Sequence, residues 1–111
     1  MEKVYNKLVR DNIPEIIKEN NDGEAITRIL SDEEYKKALE DKLYEEYQEV
    51  LESSGEDRIE ELADMLEIIK ALANLENKTL NDVIFVAEQK NKKRGAFDEK
   101  IYLEKVVIDN K

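Results

Sequence analysis

Hydrophobic and polar positions along the chain fall into segments of recognisably different period. From Ser31 to about Ser53, Tyr35, Leu39, Leu43, Tyr47 and Val50 recur three or four residues apart, which at about 100° per residue gathers them on one helical face. Ser31 with Glu34 three residues later is a capping-box signature, and Gly55 lies just beyond the far end. A second helix is predicted from about Glu56 to Leu75. Its residues Ile59, Leu62, Ala63, Met65, Leu66, Ile68, Ile69, Ala71, Leu72 and Ala73 make it apolar over most of its circumference, as expected of a central, buried helix. The short turn around Ser53, Ser54, Gly55 and Glu56 predicts that the two helices form an antiparallel hairpin.

Four weaker segments surround this pair. Pro14 should open a short helix ending near Glu19, with Asp11 or Asn12 as its cap. After a turn at Asn21 to Gly23, the stretch Ala25 to Leu30 alternates like a short strand, and Lys100 to Ile108 has a similar character. The two are expected to pair as a small antiparallel ribbon, because a lone strand leaves its backbone groups unpaired. A last long helix is expected from Thr79, with Asp82 as capping partner, to Gly95. Leu80, Val83, Ile84 and Ala87 form its apolar stripe, and the same face turns basic at Lys90, Asn91 and Arg94. The predicted fold class is mainly α, a helical bundle built on the hairpin with a possible two-stranded ribbon, in a single domain spanning 1-111.

The hydrophobic pattern is broken at informative places. Glu46 falls in the middle of the apolar stripe, seven residues after Leu39 and three after Leu43, with Glu49 and Lys42 on its borders and Glu45 further round toward Ala38. On the following helix Glu61 is flanked by Met65, Ile68 and Leu72, and Asp64 shares its face one turn away. Acid is common in this chain: 28 of 111 residues are Asp or Glu and the net charge is -10, so a Glu-x-x-Glu spacing alone says little. Position on a burying face says more. Carboxylates converging within about 6 Å repel by roughly 3 kcal/mol per pair at an effective dielectric near 20, so protons or cations must accompany them. Hard divalent ions suit the donor set, Mg²⁺ first and Mn²⁺ as an alternative, whereas zinc sites usually draw on the His and Cys that this chain lacks. The competing reading places these acids on the solvated rim of a bundle.

Composition narrows the remaining choices. The acidic balance argues against nonspecific nucleic-acid binding, which needs a basic footprint, but not against a nucleotide held through metal ions. The absence of cysteine suits the cytoplasm, no secretory leader is evident, and the longest apolar run, Val83 to Ala87, is far too short to span a membrane. Lys90, Lys93 and Arg94, with Lys7 and Arg10 near the N-terminus, are candidates for phosphate contacts; the cations of the last helix equally oppose its macrodipole. Tyr44, Tyr47, Phe85 and Phe97 could stack on a base, although aromatics at helical spacing are more often core.

The run Tyr5-Asn6-Lys7-Leu8-Val9-Arg10-Asp11-Asn12-Ile13-Pro14-Glu15-Ile16-Ile17, the box Glu45-Glu46-x-x-Glu49, the box Glu61-x-x-Asp64 and the stretch Lys93-Arg94-Gly95-Ala96-Phe97 together resemble the MazG-like, all-α nucleoside triphosphate pyrophosphatases. Within them the chain is most similar to the small phosphoribosyl-ATP pyrophosphohydrolase-like, house-cleaning group. The resemblance covers nearly the whole chain, with Ala96 standing where a second glycine is expected. It implies Glu46, Glu49, Glu61 and Asp64 as ligands of Mg²⁺, Glu45 as the group that orients or deprotonates the attacking water, and hydrolysis of a nucleoside triphosphate to monophosphate and pyrophosphate. It also implies a homodimer or larger homo-oligomer, with which the nearly all-round apolar second helix agrees. Two alternatives stand beside it. One is the phosphoribosyl-ATP pyrophosphohydrolase of histidine biosynthesis, ranked lower because of the Lys7 to Asp11 run. The other is a nonenzymatic acidic helical interaction module.

Overall fold

A computed structural model describes residues 1–109 and is mainly helical. Its elements are α1 (Ile13–Glu19), α2 (Asp32–Glu52), α3 (Gly55–Leu75) and α4 (Leu80–Arg94). The chain divides into two compact units, Met1–Leu80 and the residues from Asn81 onward. No helix among the described residues is long and apolar enough to cross a membrane.

The first unit is organised by the α2–α3 hairpin. At its start, the Glu34 amide donates to Ser31 Oγ at 3.2 Å while the Ser31 amide donates to Glu34 Oε1 at 3.1 Å, so the expected capping box forms in full. Arg28 reinforces it by donating from both terminal nitrogens to the two Glu34 oxygens, at 3.3 and 3.0 Å. At the far end Ser53 Oγ donates to the Val50 carbonyl, and Arg58 Nε reaches back from α3 to the Ser53 carbonyl. The connection is therefore only Ser53 and Ser54, and Gly55 enters α3 at φ 58°, a left-handed conformation that glycine adopts without a Cβ penalty. A connection this short forces the two helices to return alongside one another.

Helix α3 ends in a Schellman-type turn: Asn77 takes φ 59° and the Lys78 amide donates to the Ala73 carbonyl at 3.0 Å. The short α1 ends similarly, with Asn21 at φ 54° and the Asp22 amide bonded to the Ile17 carbonyl. Pro14 opens α1 as expected, but Asn12 occupies the cap position without a side-chain hydrogen bond; the preset φ of proline supports this terminus instead.

Two expectations are corrected. No strand occurs among the described residues, so the ribbon between 25–30 and 100–108 does not form. Alternation needs a face to bury, and Ile26 and Ile29 are both almost fully exposed, as are Ile101, Val107 and Ile108. A two-stranded ribbon without that support is marginal. The second concerns α3, which is less buried than its composition suggests. Ile68 is its sole buried residue, while Ile59, Leu62 and Leu66 are exposed, because α2 packs along only one side of a helix whose apolar surface extends most of the way round.

In the second unit, α4 carries no buried residue; Val83, Ile84, Phe85 and Val86 are exposed along it. It stops where Gly95 takes φ 81° and donates its amide to the Asn91 carbonyl at 2.8 Å.

Candidate metal centre

The buried contents of the hairpin are Leu39, Ile68 and, between the helices, Glu46, which is only 5% exposed. A carboxylate with that burial is costly unless it is protonated, hydrogen-bonded or paired with a cation. Its Oε2 has no hydrogen-bond partner, and neither has the buried Oε2 of Glu61 on the facing helix. Glu46, Glu61 and Asp64 each offer a carboxylate oxygen, and the three atoms lie within 4.8 Å of one another. Two turns of α3 thus present their acids to the one acid that α2 buries, as the position of Glu46 in the apolar stripe leads one to expect.

Glu49, one turn after Glu46, is not one of the three converging acids but lies close enough to act on both Glu46 and Glu61. Burial, a carboxyl–carboxyl hydrogen bond with Glu49 and the charges of Glu49 and Asp64 push the Glu46 carboxyl up to about 7, with Lys42 opposing. Glu61 is also raised, chiefly by its hydrogen bond with Glu49 and then by burial and the same neighbouring charges. Near neutral pH the Glu46 carboxyl is therefore partly protonated. Glu46 from α2 and Glu61 and Asp64 from α3 would hold a divalent ion, which would replace that proton with positive charge. The orphaned oxygens of Glu46 and Glu61 fit such an ion, and the lack of His and Cys fits a hard one.

Glu45 lies outside this group. Its carboxylate faces Lys7 at 3.9 Å and Lys42 at 3.8 Å. Those residues, with Asn6, Leu8, Ala38 and Asp41, line a cleft of about 90 Å³, too small to receive a nucleoside. Arg10 donates to Asp64 Oδ1 at 2.6 Å. The N-terminal segment therefore lays one cation on an acid of α2 and another on an acid of α3. Lys90, Lys93 and Arg94 belong to the second unit, where all three are exposed on the final turns of α4.

Lys42 was not among the residues singled out for substrate, yet its side chain is only 17% exposed and its charge opposes the upward shift of Glu46. The signal was available, since Lys42 precedes Glu45 and Glu46 by three and four residues on the border of the apolar stripe.

No family model, curated protein or solved structure matches the chain. The sequence and the geometry of the acidic cluster carry the functional argument alone.

Proposed function

We propose that this chain is a Mg²⁺-dependent nucleotide pyrophosphohydrolase that cleaves nucleoside triphosphates to monophosphate and pyrophosphate. The observation that carries the reading is the buried Glu46 with its unpartnered Oε2, set against Glu61 and Asp64 from the facing helix. The motif order resembling the MazG-like pyrophosphatases supports it. Glu46, Glu49, Glu61 and Asp64 would hold Mg²⁺ or Mn²⁺. The bound ion supplies positive charge to the phosphates and acidifies a water molecule.

The chain's own residues have separable tasks. Glu45, beside the cluster but outside the ligand group, accepts the proton of the attacking water. Arg10 reaches Asp64 of the cluster and Lys7 reaches the neighbouring Glu45, and both would neutralise the polyphosphate. Lys42 holds Glu45 in position, one turn from Glu46. Substrates of the house-cleaning kind, damaged or surplus nucleotides of the cytoplasm, are the class that the resemblance favours.

The reading includes self-association. Ile59, Leu62 and Leu66 on α3 and Tyr47 and Leu51 on α2 are exposed at 43–66%, an apolar surface of the kind that marks an interface. A second copy covering it would also exclude water from the walls of the acidic centre.

The test is a pyrophosphate-release assay with Mg²⁺ over canonical, deoxy, deaminated and oxidised triphosphates and phosphoribosyl-ATP, with Glu46→Gln as control. Turnover abolished in the variant supports the proposal and ranks its substrates. Absence of turnover, with both proteins indifferent to Mg²⁺ in melting experiments, would favour the acidic interaction module.

A further inference from the structure

Residues 1–12 precede the first helix and have little apolar anchorage: Leu8 alone among them is half-buried. What ties the segment to the hairpin is charge. Lys7 approaches Glu45 on α2, and Arg10 approaches Asp64 on α3. Both pairs are solvent-accessible, with the Arg10 and Asp64 side chains 58% and 41% exposed. Exposed ion pairs are weak tethers, so they can be exchanged at little cost.

Asp64 is also one of the three acids that converge for a cation, and the convergence has independent support in the buried, partnerless Oε2 of Glu46. One carboxylate is thus shared between a protein cation and a prospective metal ion. Arg10 touches it through a single nitrogen at 2.6 Å, leaving other donors of its planar fork for a second anion. A guanidinium and a divalent ion on the same carboxylate repel each other. A phosphate bridging from the ion toward the N-terminal segment would reverse that repulsion, since it accepts from the fork more strongly than a carboxylate already committed to metal.

We propose that Arg10 is an exchangeable counter-cation: it occupies Asp64 in the metal-free protein and passes to the substrate's phosphates when a divalent ion takes Asp64. The inference rests on the metal-centre reading and adds a positioning residue with two alternative partners. Metal and polyphosphate then bind with positive coupling, because each removes an obstacle to the other, and the coupling is reciprocal. Lys7 on Glu45 is the control within the same segment, since it carries the same charge but touches none of the three converging acids.

The experiment is calorimetric titration of the full chain with Mn²⁺ alone, then of the Mn²⁺-loaded protein with inorganic imidodiphosphate, which needs no base recognition. Wild type, Arg10→Gln, Arg10→Lys and Lys7→Gln are compared. Arg10→Gln is expected to bind Mn²⁺ about two- to fivefold more tightly, the span for losing a competing exposed ion pair. It should bind imidodiphosphate at least about tenfold more weakly. Arg10→Lys should retain most of the competition for Mn²⁺ but recover only part of the imidodiphosphate affinity, and Lys7→Gln should change Mn²⁺ affinity less than Arg10→Gln does. Unchanged or weaker Mn²⁺ binding by Arg10→Gln, with wild type binding normally, overturns the exchange and leaves the metal centre standing. Failure of wild type to bind Mn²⁺, matched by Glu46→Gln, overturns both.

Discussion

Glu46→Gln should stabilise the metal-free protein at about pH 8 and have far less effect at about pH 5. The Glu46 carboxyl sits at about 7 in the folded chain against an ordinary value of 4.5, chiefly through burial. Fully expressed, that difference is worth about 3 kcal/mol at 1.36 kcal/mol per pH unit; water reaching the half-exposed neighbours leaves about 1–2 kcal/mol. The sign follows from proton uptake. A carboxyl whose folded pKa is raised binds its proton more tightly in the native state, so its stabilisation is complete below about 4.5 and disappears as pH rises through about 7. Glu61 shifts in the same direction and adds to the slope. Glu34, lowered to about 2 by Arg28 and the capping box, acts only below the ordinary range and leaves this window undisturbed. In EDTA, wild type should therefore lose stability between about pH 5 and pH 8, and Glu46→Gln should lose less. At about 4–8 °C per kcal/mol for a domain of this size, the difference at pH 8 is several degrees. Mg²⁺ should reverse the ranking at pH 8, because an ion that binds only the folded, deprotonated cluster stabilises wild type more than the variant. Thermal melts by circular dichroism at both pH values, with EDTA and with Mg²⁺, read all four conditions. Wild-type stability that is flat or rising across this range in EDTA, or a variant that follows the wild-type slope, would refute the reasoning.

Three further outcomes concern the scaffold. Leu39→Ala, at a site 2% exposed between the helices, should cost about 2–5 kcal/mol in urea unfolding, much of the stability of a marginal domain. Ser31→Ala removes the acceptor for the Glu34 amide and should cost about 1 kcal/mol by the same measurement. Paired Ile59→Glu and Leu66→Glu substitutions, on exposed α3 positions, should shift sedimentation toward the monomer; unchanged sedimentation places any interface elsewhere.

The parts of this architecture governed by short-range pattern were readable in the chain. The capping box from Ser31 to Glu34, the tight Ser53–Ser54 connection and the stripe through Leu39 and Leu43 all depend on neighbours within a few turns, and they placed Glu46 on a face that is indeed buried. The approach of Glu61 and Asp64 to Glu46 followed once the hairpin was assumed. The contact between Arg10 and Asp64 was not readable, because it joins residues 54 apart through a segment with no period to set its direction. Alternation at 25–30 misled for a related reason: it describes a strand only where something covers one face, and Ile26 and Ile29 remain in water. The role of Glu45 rests on resemblance; its neighbour Lys42 is legible from the i, i+3 spacing on α2, whereas its pairing with Lys7 depends on the three-dimensional course of the N-terminal segment.

The central claim, that the acids of α2 and α3 form a divalent-metal centre, is tested most directly by anomalous diffraction from crystals grown with Mn²⁺. The account predicts one or more peaks between the hairpin helices, within about 2.0–2.3 Å of carboxylate oxygens from Glu46, Glu61 and Asp64, with Glu49 turned toward them. A map without a peak there, from crystals in which Mn²⁺ is found at other carboxylates, would contradict it.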